Sequence, residues 1–86
     1  MNYCVYILLS LKDNNFYVGF TGDLSQRLKD HKKGKVFATR YRLPVKLIYY
    51  EVGGSEKDAR AREKYLKTGM GKRYIRNRLK QYLEKL

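Results

Sequence analysis

Residues 3–21 read YCVYILLSLKDNNFYVGFT, and this stretch decides the fold. Tyr3 to Leu9 is short and continuously apolar, and it runs into the turn-forming SLKDNN. That is the pattern of a strand buried on both faces. Phe16 to Phe20 is a second strand, so the pair predicts a hairpin. A connecting loop over Leu11 to Asn14 pairs Ser10 with Asn15. That register sets Tyr17 opposite Leu8 and Tyr6 opposite Gly19. Paired residues share a face, so both phenols point the same way, whereas a slip by one position would part them. Glycine weakens a strand and marks a close approach. Here Gly19 is expected to leave open space beside the Tyr6 ring.

After the hairpin, TGDLSQRLKDHKKG (21–34) reads as a helix. Asp23 caps it with Gln26 at the capping-box position, Leu24 and Leu28 face inward, and Gly34 ends it. Arg27 and His31 lie one turn apart on one side, at the edge of the packed face. KVFATRYRLP (35–44) is a basic connection interleaved with aromatics and closed by the only proline, Pro44, which favours an extended Leu43. Val45 to Val52 is a third strand, with Val45, Leu47 and Tyr49 on one face and Lys46, Ile48 and Tyr50 on the other. Gly53 and Gly54 break it. Ser55 caps a second helix running to about Thr68, whose inward stripe is Ala59, Glu63 and Leu66. Gly69 stops that helix and Gly71 restarts the chain. A last helix carries Ile75, Leu79, Tyr82, Leu83 and Leu86 on one side and bases such as Arg76 and Lys80 on the other. The prediction is one α/β (α+β) domain over residues 1–86. It is a small three-stranded antiparallel sheet flanked by helices, in the order β-β-α-β-α-α.

Charge is the strongest global signal. The 86 residues carry 20 Lys and Arg against 8 Asp and Glu, a net of +12. Lys12 stands alone before eight bases between Arg27 and Lys46 and eleven between Lys57 and Lys85. Self-repulsion on that scale is relieved by a polyanion, and nucleic acid is the leading partner. The bland alternative is a merely soluble basic protein. An anionic membrane fits less well, because no helix opposes large exposed apolar residues to its charges. No apolar run approaches the ~18 residues that cross a bilayer, and no charge precedes the first apolar run as in a signal peptide. The single Cys4 makes neither an intrachain disulfide nor a cysteine zinc site. A reducing cytoplasm is the expected location, with no membrane and no small-molecule cofactor.

Three groups are candidates for chemistry. Glu63 reads either as a salt-bridge partner of Lys67, in the favourable i, i+4 orientation, or as a metal ligand. Mg²⁺ commonly takes one or two carboxylates and keeps its waters while substrate phosphate completes the shell. Arg27 and His31 read either as a solvated basic face or as a phosphate grip beside a group that can hold a proton. Tyr6 and Tyr17 read as two core or stacking residues among nine tyrosines, or as acid–base groups if cations stabilise a phenolate. A glycine-rich phosphate loop of the Walker type and a histidine metal cluster are both excluded.

Taken together, CVY (4–6), YVG (17–19), the continuation YVGFTGDLSQRLKDH and the later AREKYLK (61–67) resemble the GIY-YIG nuclease family. The similarity is greatest to its small single-domain bacterial members, related to the N-terminal nuclease domain of the UvrC repair protein. The resemblance spans Tyr3 to about Lys72. It implies that Tyr6 and Tyr17 are the motif tyrosines facing the scissile phosphate and Gly19 the motif glycine. It also implies that Arg27 polarises the phosphate, His31 assists proton transfer, and Glu63 holds one divalent metal, Mg²⁺ or another such as Mn²⁺. The implied activity is a metal-dependent endonuclease hydrolysing DNA, with structured or branched DNA among its candidate substrates and repair or recombination among its candidate settings. Lys33, Lys35, Arg40, Arg42, Lys72 and Arg73 would hold the DNA backbone. Cys4 stands in place of the first motif glycine, valines replace isoleucines at 5 and 18, and Phe20 stands where some relatives carry lysine. Asn77 is the only candidate for an asparagine that many relatives place in the last helix. The rival readings are a non-catalytic nucleic-acid-binding module on the same fold and a scaffold using the last helix.

Overall fold

The computed structural model describes residues 2–86. β1 (Tyr3–Ser10) pairs antiparallel with β2 (Phe16–Thr21) on one side and with β3 (Val45–Gly53) on the other, giving the strand order β2-β1-β3. The central position explains the unbroken apolar run of β1. Each of its residues from Cys4 to Ser10 is buried, because both faces of the sheet are covered. The hairpin has the expected register, with Tyr6 opposite Gly19 and Leu8 opposite Tyr17. Asn14 closes the turn at φ 61°, a left-handed conformation that asparagine tolerates, and Ser10 N donates to Asn15 O at 2.9 Å.

The alternating side chains of β1 build two cores. Val5, Ile7 and Leu9 face one side with Phe16, Val18, Ile48, Ala59, Leu66 and Ile75. Cys4, Tyr6 and Leu8 face the other with Tyr17, Leu24, Leu28, Val45 and Leu47. α1 (Leu24–Lys32) therefore covers the tyrosine face, while α2 (Glu56–Leu66) and α3 (Gly69–Arg78) cover the opposite one. The expected strict alternation of β3 fails. The pairing steps from Ile7–Tyr49 to Leu8–Leu47, a bulge that brings Ile48 and Tyr49 to the same core. Tyr49 thus leaves the face it was expected to share with Val45 and Leu47.

Most helix signals act as read, but Gly69 does not stop α2, which ends at Leu66 with Lys67 as its C-cap; it is the first residue of α3. Asp23 accepts from Gln26 N at 3.1 Å, Ser55 accepts from Asp58 N at 3.3 Å, and Gly34 leaves α1 at φ +75°. Thr68 is a further cap, its hydroxyl accepting from Gly71 N at 3.0 Å to start α3. The expected single C-terminal helix is broken at Leu79, and α4 (Lys80–Glu84) follows as a separate piece, so the order is β-β-α-β-α-α-α. Gly71 has a packing role. A Cβ there would overlap the α2 backbone at Tyr65 O and Leu66 Cα, so its absence sets how closely α3 approaches α2. No helix of the described residues is long and apolar enough to cross a membrane.

Candidate active site

Because Tyr6 and Tyr17 lie on adjacent strands and share a face, their rings meet with centroids 6.3 Å apart. The space beside Gly19 is not open. The Tyr6 phenol lies across it, and a Cβ at position 19 would overlap Tyr6 Cζ and Oη. Glycine is needed here because the neighbouring ring already occupies the volume a side chain would take.

α1 then lays its edge against the two phenols. His31 is fully buried and sets its ring edge-on to both, with centroids 5.6 Å from Tyr6 and 5.2 Å from Tyr17. Its Nε2 is 2.7 Å from the Tyr6 hydroxyl and its Nδ1 is 2.7 Å from Thr39 Oγ1. Burial, followed by the nearby Arg27 charge, pushes the imidazole down to about 4. His31 is therefore neutral at physiological pH, with one ring nitrogen donating and the other accepting. A proton on Nδ1, donated to Thr39, leaves Nε2 to accept from the Tyr6 hydroxyl. Burial likewise pushes Tyr6 up to about 12, against the lowering effect of Arg27, so its phenol stays protonated. Arg27 also interacts with both phenols, and its own pKa is raised, chiefly by Tyr6. Arg27 and Tyr17 are only half-buried, whereas Tyr6 and His31 are sealed.

The structure thus joins Tyr6, Tyr17, Arg27 and His31 around Gly19. Glu63 comes from α2, whose Ala59 and Leu66 pack in the opposite core, while the helix also meets the edge strand β2. Its side chain is 14% exposed, and its oxygens face Arg60 Nη1 at 3.6 Å and Lys67 Nζ at 3.2 Å. The salt-bridge reading of Glu63 is therefore realised, and its inward position as well. Arg60 in turn lies 3.8 Å over the Phe20 ring, which stacks on Tyr3. A cation consequently covers the β2 position next to Gly19 although residue 20 is aromatic.

The resemblance implies one divalent metal on Glu63. Among the described residues no three His, Cys, Asp or Glu side chains gather into a metal cage. A single carboxylate, with both neighbouring cations more than half exposed and free to swing away, suits a water-rich Mg²⁺ completed by substrate phosphate. It does not suit a fully protein-ligated ion.

Of the bases expected to hold DNA, Lys33, Lys35, Arg40 and Arg42 lie in the segment between α1 and β3, and Lys72 and Arg73 lie on α3. Asn77 is exposed on α3, in a groove shared with Lys80 to Tyr82 and with none of the site residues. Thr39, fully buried, is the residue the sequence reading missed. A neutral buried histidine needs two partners, so the second hydroxyl is called for only once the burial of His31 is known.

The family model described as the GIY-YIG catalytic domain matches residues 2–75, and the chain belongs to that family. A UPF0213 protein of Clostridium perfringens is 46% identical over 68 residues, covering 78% of this chain and 71% of the relative. A UPF0213 protein of Streptococcus pyogenes is 46% identical over 61 residues, covering 70% of this chain and 66% of the relative. The chain thus spans about two thirds of the length of these curated relatives. The solution NMR structure of a UPF0213 protein from Bacillus halodurans superposes with a TM-score of 0.55 at 35% identity, over 87% of this chain and 82% of that one.

Proposed function

We propose that the protein is a divalent-metal-dependent endonuclease that hydrolyses DNA phosphodiester bonds. The observation that carries the reading is the convergence of two phenols, a neutral imidazole and a guanidinium on one side of the Gly19 cradle. Arg27 binds a phosphate oxygen and stabilises charge as it builds on phosphorus. Tyr17 is the phenol with access to substrate, and it faces the attacking water as the acid–base group. Tyr6 and His31 are too enclosed to meet that water. They fix the position of Tyr17 and Arg27, and Thr39 fixes His31. Glu63 would hold the metal, which would supply Lewis-acid stabilisation of the phosphate and the leaving oxygen. Lys33, Lys35, Arg40 and Arg42 hold the backbone of the bound strand without reading bases, and Lys72 and Arg73 meet DNA where it reaches α3.

The same basic surface supports a DNA-binding module without catalysis. Incubation of the purified protein with plain, nicked and branched DNA, in Mg²⁺ or EDTA, separates the two. Metal-dependent cutting that vanishes in Glu63→Ala while binding persists is the expected result. Binding without cutting in Mg²⁺ or Mn²⁺ would leave the module.

A further inference from the structure

The loop between α1 and β3 turns different residues in opposite directions. Val36 and Thr39 are buried, while Phe37 is 75% and Tyr41 70% exposed. Short-range bonds make it a compact turn, Arg40 N donating to Val36 O at 2.9 Å and Arg42 N to Thr39 O at 2.9 Å. The Arg40 guanidinium carbon sits 4.7 Å from the Phe37 centroid and 4.9 Å from that of Tyr41. The three side chains form one exposed unit with two aromatic rings around a planar cation. Lys33, Lys35 and Arg42 flank it.

A water-facing pair of large rings is costly unless something covers it, and the charge around this one selects a polyanion. Stacking decides which polyanion. In a duplex the base faces are already stacked on one another, so flat rings and a guanidinium gain little from it. Unpaired bases offer free π-faces, and aromatic platforms in basic grooves bind them without regard to sequence. The loop is also tied to the candidate site. Thr39, between the outward residues, bonds His31, which bonds Tyr6. A strand stacked on the loop is therefore held at a fixed offset from the phenols and Arg27.

We propose that Phe37, Arg40 and Tyr41 form a stacking platform for an unpaired DNA strand, so that the preferred substrate carries single-stranded nucleotides beside the bond to be cut. The cutting clause rests on the nuclease reading above, whereas the platform itself is tested by binding alone. The chain has no tryptophan, so Tyr41→Trp places a single reporter on the platform. Its fluorescence is expected to be quenched by oligo-dT and not by a blunt duplex of equal charge. The double variant Phe37→Ala, Tyr41→Ala is expected to lose roughly 10- to 100-fold in affinity for oligo-dT. Because no charge is removed, the slope of log affinity against log salt stays as in the wild type. An equal loss on duplex and single strand, a preference for oligo-U over oligo-dT, or stronger competition by poly-glutamate than by oligo-dT would overturn the platform. Loss of cutting in Glu63→Ala with binding intact concerns the nuclease alone. Unchanged oligo-dT affinity in the double variant sinks the platform even if the protein cuts DNA.

Discussion

The Tyr6 hydroxyl stands 2.7 Å from His31 Nε2, and both residues are sealed from solvent. This bond crosses from the middle of the central strand to the last turn of α1. Neither partner can ionise cheaply in that position, so the pair positions its neighbours as a neutral unit.

Stability should therefore depend on pH through His31. Its folded pKa, about 4, lies below the unfolded reference of 6.5. Between those values the unfolded chain binds the proton that the folded chain refuses, so stability rises with pH. On acidification it is lost from about pH 6.5 and levels off near pH 4, a total on the order of 3 kcal/mol. Asp30 opposes the shift only weakly. Urea midpoints measured from pH 7 to pH 4 should fall more steeply in the wild type than in His31→Gln. Parallel curves would contradict a neutral, buried imidazole.

Thr39 holds the other nitrogen. Thr39→Val keeps the shape but leaves Nδ1 unpaired in the interior, with an expected cost of about 1–3 kcal/mol. Thr39→Ser restores the hydroxyl and should recover most of it. If the relay also positions Tyr17 and Arg27, kcat falls in Thr39→Val with KM little changed, and Thr39→Ser rescues the rate as well as the denaturation midpoint.

Two glycines separate site geometry from stability. Gly19→Ala drives a methyl into the Tyr6 phenol, and the ring must move off His31 to make room. Gly71→Ala drives one into the α2 backbone, which has no rotamer to retreat to. Overpacking of this kind costs about 1–3 kcal/mol or more, and in a domain this size each kcal/mol lowers Tm by roughly 4–8 °C. Gly71→Ala should melt lower than Gly19→Ala, yet at a temperature where both are folded it should retain the DNA cutting that Gly19→Ala loses. The opposite order in either measurement would dissociate Gly19 from the site.

The hairpin was legible because its signals agree. An apolar run of strand length, a loop of fixed length and a glycine where a ring must lie all specify one register, and the shared face of Tyr6 and Tyr17 follows. Arg27 and His31 followed from helical spacing. The bulge opposite Ile7 and Leu8 was hidden because alternation through Val45, Leu47 and Tyr49 fits a regular strand equally well. The break at Leu79 was hidden because Ile75, Leu79 and Leu83 keep helical spacing across it. Thr39 lies in a basic turn with no periodicity, and only its distance to His31 reveals it. Glu63 was read as inward and is, but which face of the sheet its helix covers depends on the path of the chain.

Glu63 gives the sharpest separation of stability from activity. Its partners Arg60 and Lys67 are 57% and 56% exposed, and exposed ion pairs contribute about 0–1 kcal/mol. Glu63→Gln keeps the shape of the side chain while removing its charge, so the urea midpoint should hardly move. DNA affinity should be unchanged or slightly higher, because a negative charge is lost from a basic surface. A carboxylate kept near the interior only to pair two surface cations would leave cutting intact on replacement. One kept to hold a metal would abolish it, with no recovery as Mg²⁺ is raised. Cleavage by Glu63→Gln at wild-type rate would reduce Glu63 to an ion-pair partner and remove the metal from the proposed chemistry, whereas a loss beyond about 100-fold at unchanged affinity would place it there.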